Sequence, residues 1–290
     1  GRVTRMVRTL VMLWFVTIVT CVRAELTVVY PASESELDRR FDDLTLILRT
    51  ALEKTEADFG PFEMRAASAP MTSMRYSQEL MAGRTPNVIW TSTSLERETF
   101  LRPIRIPLRK GLLSYRIALT RAESQPKIDQ VKDVEDLAQL SLAQGIGWGD
   151  ILVFEANGLR VSTSEYESLF RMIDAGRVDL FPRGIGEVFE EWEVRREVLP
   201  NLAIEPNLLL YYPWPYYFFV KKDNVALANR LETGLLRMID DGSFDAIFWR
   251  FHGEAIERAR LQERRVIELS NPLLPPDTPL DDSQLWYQPS

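Results

Sequence analysis

Two arginines placed just beyond short apolar runs are the side chains best suited to hold a small acidic molecule. Arg183 follows residues 178–181, and Arg97 follows residues 88–90 across a polar loop. A planar guanidinium presents paired N–H donors that match a carboxylate or a phosphate. In open α/β sheets, ligands collect at the carboxyl ends of the strands, where both arginines fall. Glu187, one helical turn after Arg183, can either meet a ligand ammonium or neutralise that arginine. Thr91 and Thr93 offer hydroxyls, and Tyr30, Trp90, Trp148 and Tyr212 offer rings that either stack on a ligand or fill a core.

Other chemistry finds little support. His252 is the only histidine and lies beside Phe251 in a late amphipathic segment, which reads as structural. No histidine pair offers a metal site, and no serine, histidine and aspartate fall in a catalytic arrangement. The glycine-rich run at 144–150 lacks the spacing of a dinucleotide or P-loop motif, so no cofactor is expected. As a glycine loop before a helix start it could still set backbone amides against an anion, with Asp150 as a helix cap.

The elements that must carry these residues are readable from periodicity. Residues 25–30 form a β-rich apolar run ended by Pro31. Leu37, Phe41, Leu44, Leu48 and Leu52 recur at helical spacing, which predicts an amphipathic helix on a sheet. Around Arg183, Leu169, Met172 and Ile173 predict a helix stopped by Gly176, then a buried strand over 178–181, with Arg183 in the loop beyond. The segment 78–98 repeats this helix, glycine, strand and arginine order, which suggests two similar lobes. Residues 112–119 and 216–220 read as strands, residues 225–240 as a helix closed by Gly242, and 271–290 as an extended proline-rich segment.

Composition narrows the class. The 290 residues are 46% hydrophobic, enough for a sizeable core. Residues 1–24 combine arginines at 2, 5 and 8, an apolar run over 10–19, and Val22-Arg23-Ala24, the pattern of a cleaved secretory signal. Without that segment, 31 basic residues face 42 acidic ones, a net charge of −11, which disfavours nucleic acid as a partner. The same removal takes Cys21, the only cysteine, so neither disulfides nor thiol chemistry are expected.

In their order, the signal, the strand and helix, the TSTSLER loop at 91–97, two crossings, the glycine loop, the GRVD turn at 176–179 and the late helix before Asp241-Gly242-Ser243 together resemble the type II periplasmic solute-binding proteins. The closest likeness is to the family 3 group that contains the polar amino acid receptors of ABC transporters. The resemblance implies an α/β fold of two lobes, each a mostly parallel sheet flanked by helices. Lobe I would hold 25–111 and 214–270, lobe II 112–206, with a return hinge at 207–213 and a C-terminal strap at 271–290. Hinge motion would run through crossings near 112–119 and 206–213.

It further implies a monomeric periplasmic protein, not an enzyme, that closes over a small polar solute and presents it to a membrane permease or sensor. In that family, an arginine of the first lobe clasps the ligand carboxylate, a role that falls on Arg97. An acidic residue after the second-lobe strand normally holds the ligand ammonium, but this sequence has Phe181-Pro182-Arg183-Gly184 there. The departure points toward an acidic ligand held between Arg97 and Arg183. A few proteins of this fold dehydrate cyclic acids, for which Glu187 is the nearest general acid.

Overall fold

A computed structural model describes residues 24–36 and 38–290; the expected signal segment and Leu37 lie outside the described residues. The chain begins with β1 (Leu26–Tyr30), α1 (Asp42–Glu53), α2 (Glu56–Phe59), β2 (Phe62–Ala66), α3 (Ser73–Met81), β3 (Ile89–Ser92), α4 (Leu95–Phe100) and β4 (Leu101–Leu108). α1 buries Leu44, Ile47, Leu48, Ala51 and Leu52 as one stripe. It starts at Asp42, just after Phe41, where two aspartates favour the positive amino end of the helix. Each buried leucine of that stripe contributes roughly 1.5–3 kcal/mol.

After a crossing at 109–114 the chain forms β5 (Tyr115–Arg121), α5 (Gln125–Ile128), α6 (Val134–Leu137), β6 (Ser141–Gly145), α7 (Asp150–Ala156), β7 (Arg160–Ser164), α8 (Tyr166–Asp174), β8 (Phe181–Gly184), α9 (Ile185–Glu193), β9 (Leu202–Ile204) and β10 (Leu208–Tyr211). It returns through 212–215 to β11 (Tyr216–Lys221), α10 (Val225–Asp241), α11 (Ser243–Ala259) and β12 (Arg265–Glu268).

Two lobes result. In lobe I, β1 pairs with β2 in parallel, and β11 lies antiparallel between β3 and β4. Asn87 ties β1 to the start of β3, donating to Thr27 O and accepting from Val29 N. In lobe II, β6 pairs with β7 in parallel, whereas β5 runs antiparallel to β8, β9 and β10. Each lobe thus holds both parallel and antiparallel ladders where mostly parallel sheets were expected. The antiparallel pairs belong to β5 and β11, the strands that follow the two crossings.

The lobe I core joins α1 and α10 to the sheet through Leu48, Leu52, Phe218, Leu231 and Leu235. Gly234 sits where α10 crosses α1, and a Cβ there would lie 2.4 Å from the Ala51 carbonyl oxygen. Lobe II has two clusters, one around Phe170, Phe181 and Val188 and one around Leu142, Phe154 and Tyr212. α11 serves both lobes, with Phe244 and Ile247 in the first core and Phe248 and Ile256 in the second.

Residues 115–119 and 208–211 pair in the ladders of one sheet, which leaves 109–114 and 212–215 as the segments that lead from β4 and into β11. β12 pairs with β10 in that sheet. The strap over 271–290 touches both lobes. Leu95 N donates to Leu273 O in lobe I, and the Tyr115 hydroxyl of lobe II donates to Tyr287 O. Among the described residues, no helix is long and apolar enough to cross a membrane.

Candidate functional site

A cleft of about 770 Å³ opens where the lobes meet. Lobe I contributes Arg40, Ser92 and Tyr216, the crossings contribute Leu113 and Trp214, and lobe II supplies the remaining wall from β5, the glycine loop, α8, β8 and α9 with the turn after it. Its charged lining is balanced, with Arg40, Arg116, Arg183 and Arg195 against Asp150, Glu187, Glu190 and Glu191.

Arg183 borders this cleft, but from β8 and not from a loop: it pairs with Ile117 across the ladder, so its backbone is held by strand geometry. It is 9% exposed. Its Nε donates to both oxygens of Glu191, at 2.7 and 3.1 Å, and its Nη2 lies 3.3 Å from Glu187. Burial alone would favour the neutral form, but Glu187 and Glu191 outweigh it, holding the Arg183 pKa above its ordinary value. The Tyr166 hydroxyl donates to Glu191, and burial followed by that carboxylate keeps the phenol protonated.

Trp148 and Glu187 also border the cleft. The Trp148 ring lies 6.2 Å from Phe181, nearly parallel to it, and 4.8 Å beneath the Arg183 guanidinium. Gly145 makes this seat, since a Cβ there would come 2.1 Å from the indole. Beside its contact with Arg183, Glu187 accepts from Gly184 N at 3.1 Å in the first turn of α9.

The lobe I residues are arranged otherwise. Arg97 does not line the cleft. Its Nη1 donates to Ser92 O, its backbone N–H meets the Ser94 hydroxyl at 3.0 Å, and burial lowers its pKa. Thr93 is fully buried and donates to Glu98 at 2.6 Å, so its hydroxyl is committed inside the lobe. Tyr30 stacks on Trp90, which packs against Phe41 and Phe218 in the core. Trp90 and Thr91 border a separate hollow of about 190 Å³ in lobe I, which shares Arg40 and Tyr216 with the main cleft.

The floor of the cleft holds a group that sequence reasoning passed over. Arg116 of β5 lies 3.2 Å from Asp150, whose carboxylate also accepts from the Tyr212 hydroxyl. Asp150 is thus not a helix cap: α7 begins with no side-chain cap, and the aspartate faces Arg116 instead. Tyr212 is fully buried, and burial raises its pKa. One signal was available, because Arg116 is the lone charge within the apolar run LLSYRIAL at 112–119, and a buried charge demands a partner. Arg40, Tyr166, Glu191, Arg195 and Tyr216 were missed because each becomes a cleft residue only through packing of the lobes.

His252 lies outside the cleft. Its Nε2 is 3.0 Å from Asp43, which Arg109 grips with two bonds of 2.7 and 2.8 Å. Asp43 is buried, which alone would raise its pKa, but Arg109 and then His252 hold it well below the usual carboxylate range. Among the described residues, no cluster of histidine, cysteine, aspartate and glutamate could hold a metal ion.

Neither a family model nor a curated protein sequence matches the chain. Solved structures do. An ancestral arginine-binding protein bound to arginine shares 20% identity, with 79% of this chain and 98% of that one covered at a TM-score of 0.52. A protein from a study of glutathione import through GshT and the cystine ABC importer of Streptococcus mutans shares 14% identity, with coverage of 79% and 96% and a TM-score of 0.53. A histidine kinase sensor domain similar to periplasmic binding proteins shares 17%, with coverage of 79% and 96% and a TM-score of 0.51. These likenesses span both lobes at low identity, and what they establish is the architecture: the chain has the two-lobed α/β fold of the type II periplasmic binding proteins.

Proposed function

We propose that the protein is an extracytoplasmic solute-binding protein that captures a small, polar, carboxylate-bearing solute in the cleft and closes over it about the crossings at 109–114 and 212–215. The observation that carries this reading is the cleft itself, walled by both lobes and lined by four arginines and four carboxylates. Such a lining suits a solute with charges of both signs, and Trp148, Tyr166 and Tyr216 supply rings to cover its apolar part. Arg183, Trp148 and Glu187 are the binding residues that remain from sequence reasoning, now as one wall of lobe II. The similarity to amino acid-binding and ABC import proteins supports a small amino acid-like or organic acid, handed to a membrane permease in the periplasm.

The similarity to a kinase sensor domain supports a second readout, in which the closed form is recognised by a signalling partner. Dehydration is the weaker reading. A general acid is best set in an apolar pocket, whereas Glu187 is exposed and already engaged by Arg183 and Gly184.

Thermal denaturation of residues 25–290 against amino acids, dicarboxylates and sugar acids tests the proposal. A ligand at about a hundred times its dissociation constant adds roughly 2.7 kcal/mol, visible as a raised midpoint. No shift with any of them counts against solute binding.

A further inference from the structure

Four guanidinium groups border the cleft, and they differ in how fully their donors are used. Arg40 donates twice to Asp38 and lies 3.4 Å from Glu34. Arg183 is engaged by Glu191 and Glu187, and Arg195 donates to both oxygens of Glu167 and to the Glu191 carbonyl. Arg116 is the exception. It is 5% exposed, its ion-pair contact is one Asp150 oxygen at 3.2 Å, and that oxygen also accepts from Tyr212. Its Nε is buried and has no acceptor.

A guanidinium carries five N–H donors, and leaving them unmet away from water is costly. Arg116 therefore has surplus donor capacity at the border of the cleft. The neighbouring backbone leaves room for it: Arg116 is in register with Gly184, where a side chain would begin only 3.6 Å from Nη1. Arg97 donates from Nη1 to Ser92 O and differs from Arg116 in its place, since it is not among the residues that border the cleft.

We infer that Arg116 of lobe II, and not Arg97 of lobe I, receives the acidic group of the ligand, with Asp150 as the residue that positions its guanidinium. This rests on the solute-binding reading and names the acid-binding group within it. The ligand class is a small molecule with a free carboxylate, and loss of that carboxylate abolishes the contact.

The test titrates L-glutamine, L-glutamate, L-arginine and succinate into the protein by calorimetry, then repeats the best binder as its carboxamide. Arg116→Met is expected to weaken the acid on the order of 100-fold, the loss of a charge-assisted bidentate contact, and to leave the carboxamide unaffected. Arg97→Ala is expected to change affinity by less than about threefold, because the residue does not border the cleft. Since Arg116→Met strands Asp150, the double variant with Asp150→Asn removes both charges and should show the same loss in a folded protein. Asp150→Asn alone should narrow the preference for acid over carboxamide, which a purely structural role would leave unchanged.

A wild-type protein that binds an acid, with Arg116→Met binding it equally well, overturns the inference and leaves solute binding standing. The same holds if the carboxamide binds as tightly as the acid, or if Arg97→Ala is the variant that loses affinity. A wild-type protein that binds none of the four compounds counts against solute binding itself, and the inference falls with it.

Discussion

The Trp286 ring lies where a side chain at Gly111 would have to be, with 2.2 Å between the ring and the position of a Cβ. Gly111 closes the first crossing, in which Arg109, Lys110 and Gly111 all take left-handed conformations, at φ 57°, 49° and 67°. For the two non-glycine residues this costs on the order of 1–2 kcal/mol each. The turn is held from several sides, by Arg109 on Asp43, by Lys110 on Asp245, and by Tyr287 N donating to Lys110 O. The C-terminal segment and the first crossing are therefore held together as one packed unit.

Removing residues 285–290 should release that unit. The expected result is a loss of about 2–4 kcal/mol, from the burial of Leu285 and Trp286 in the lobe I core, together with a larger radius of gyration by scattering. A truncated chain with unchanged stability and dimensions would show that the strap is passive.

Gly111→Ala should also destabilise, through both the contact with Trp286 and the left-handed backbone, by about 1–3 kcal/mol in urea unfolding. Pairing it with Trp286→Ala should recover the steric part alone, so the two effects are expected to be non-additive.

Breaking the buried pair at the cleft wall should be severe. Arg183→Met removes the buried cation that donates to both Glu191 oxygens and is expected to cost about 3–5 kcal/mol. Chemical denaturation measures this directly, and a loss below about 1 kcal/mol would mean that water already screens the pair.

Acid should weaken the anchoring of the first crossing to α1. The folded pKa of Asp43 lies below its unfolded value of about 3.9, so its stabilisation is fully present above that pH and is lost as pH falls through the folded pKa. Thermal melts between neutral pH and about pH 2 should show this decline, and Asp43→Asn should flatten it while lowering stability at pH 7.

Ligand binding should also compact the molecule. A smaller radius of gyration with ligand than without it is the expected mark of closure about 109–114 and 212–215, and identical scattering in both states would argue for a rigid cleft.

The sequence alone determined the fold class and most of the elements around the site. Helical spacing at Leu44, Leu48 and Leu52, the stop at Gly176 and the apolar run before Gly242 are local signals, written in neighbouring residues. They also brought Arg183, Trp148 and Glu187 to notice, since each follows a strand end or a glycine loop. Only the tertiary structure decided which arginine faces the cleft. Arg97 and Arg116 are equally charged in the sequence. Their fates depend on Ser92 O meeting one and Asp150 the other, and the second contact joins residues 34 positions apart. The strap was likewise beyond local reading, because its partners, Leu95, Lys110 and Tyr115, lie more than a hundred residues away. Periodicity reports which face of an element is buried; it carries no information about which distant polar group will satisfy a given guanidinium.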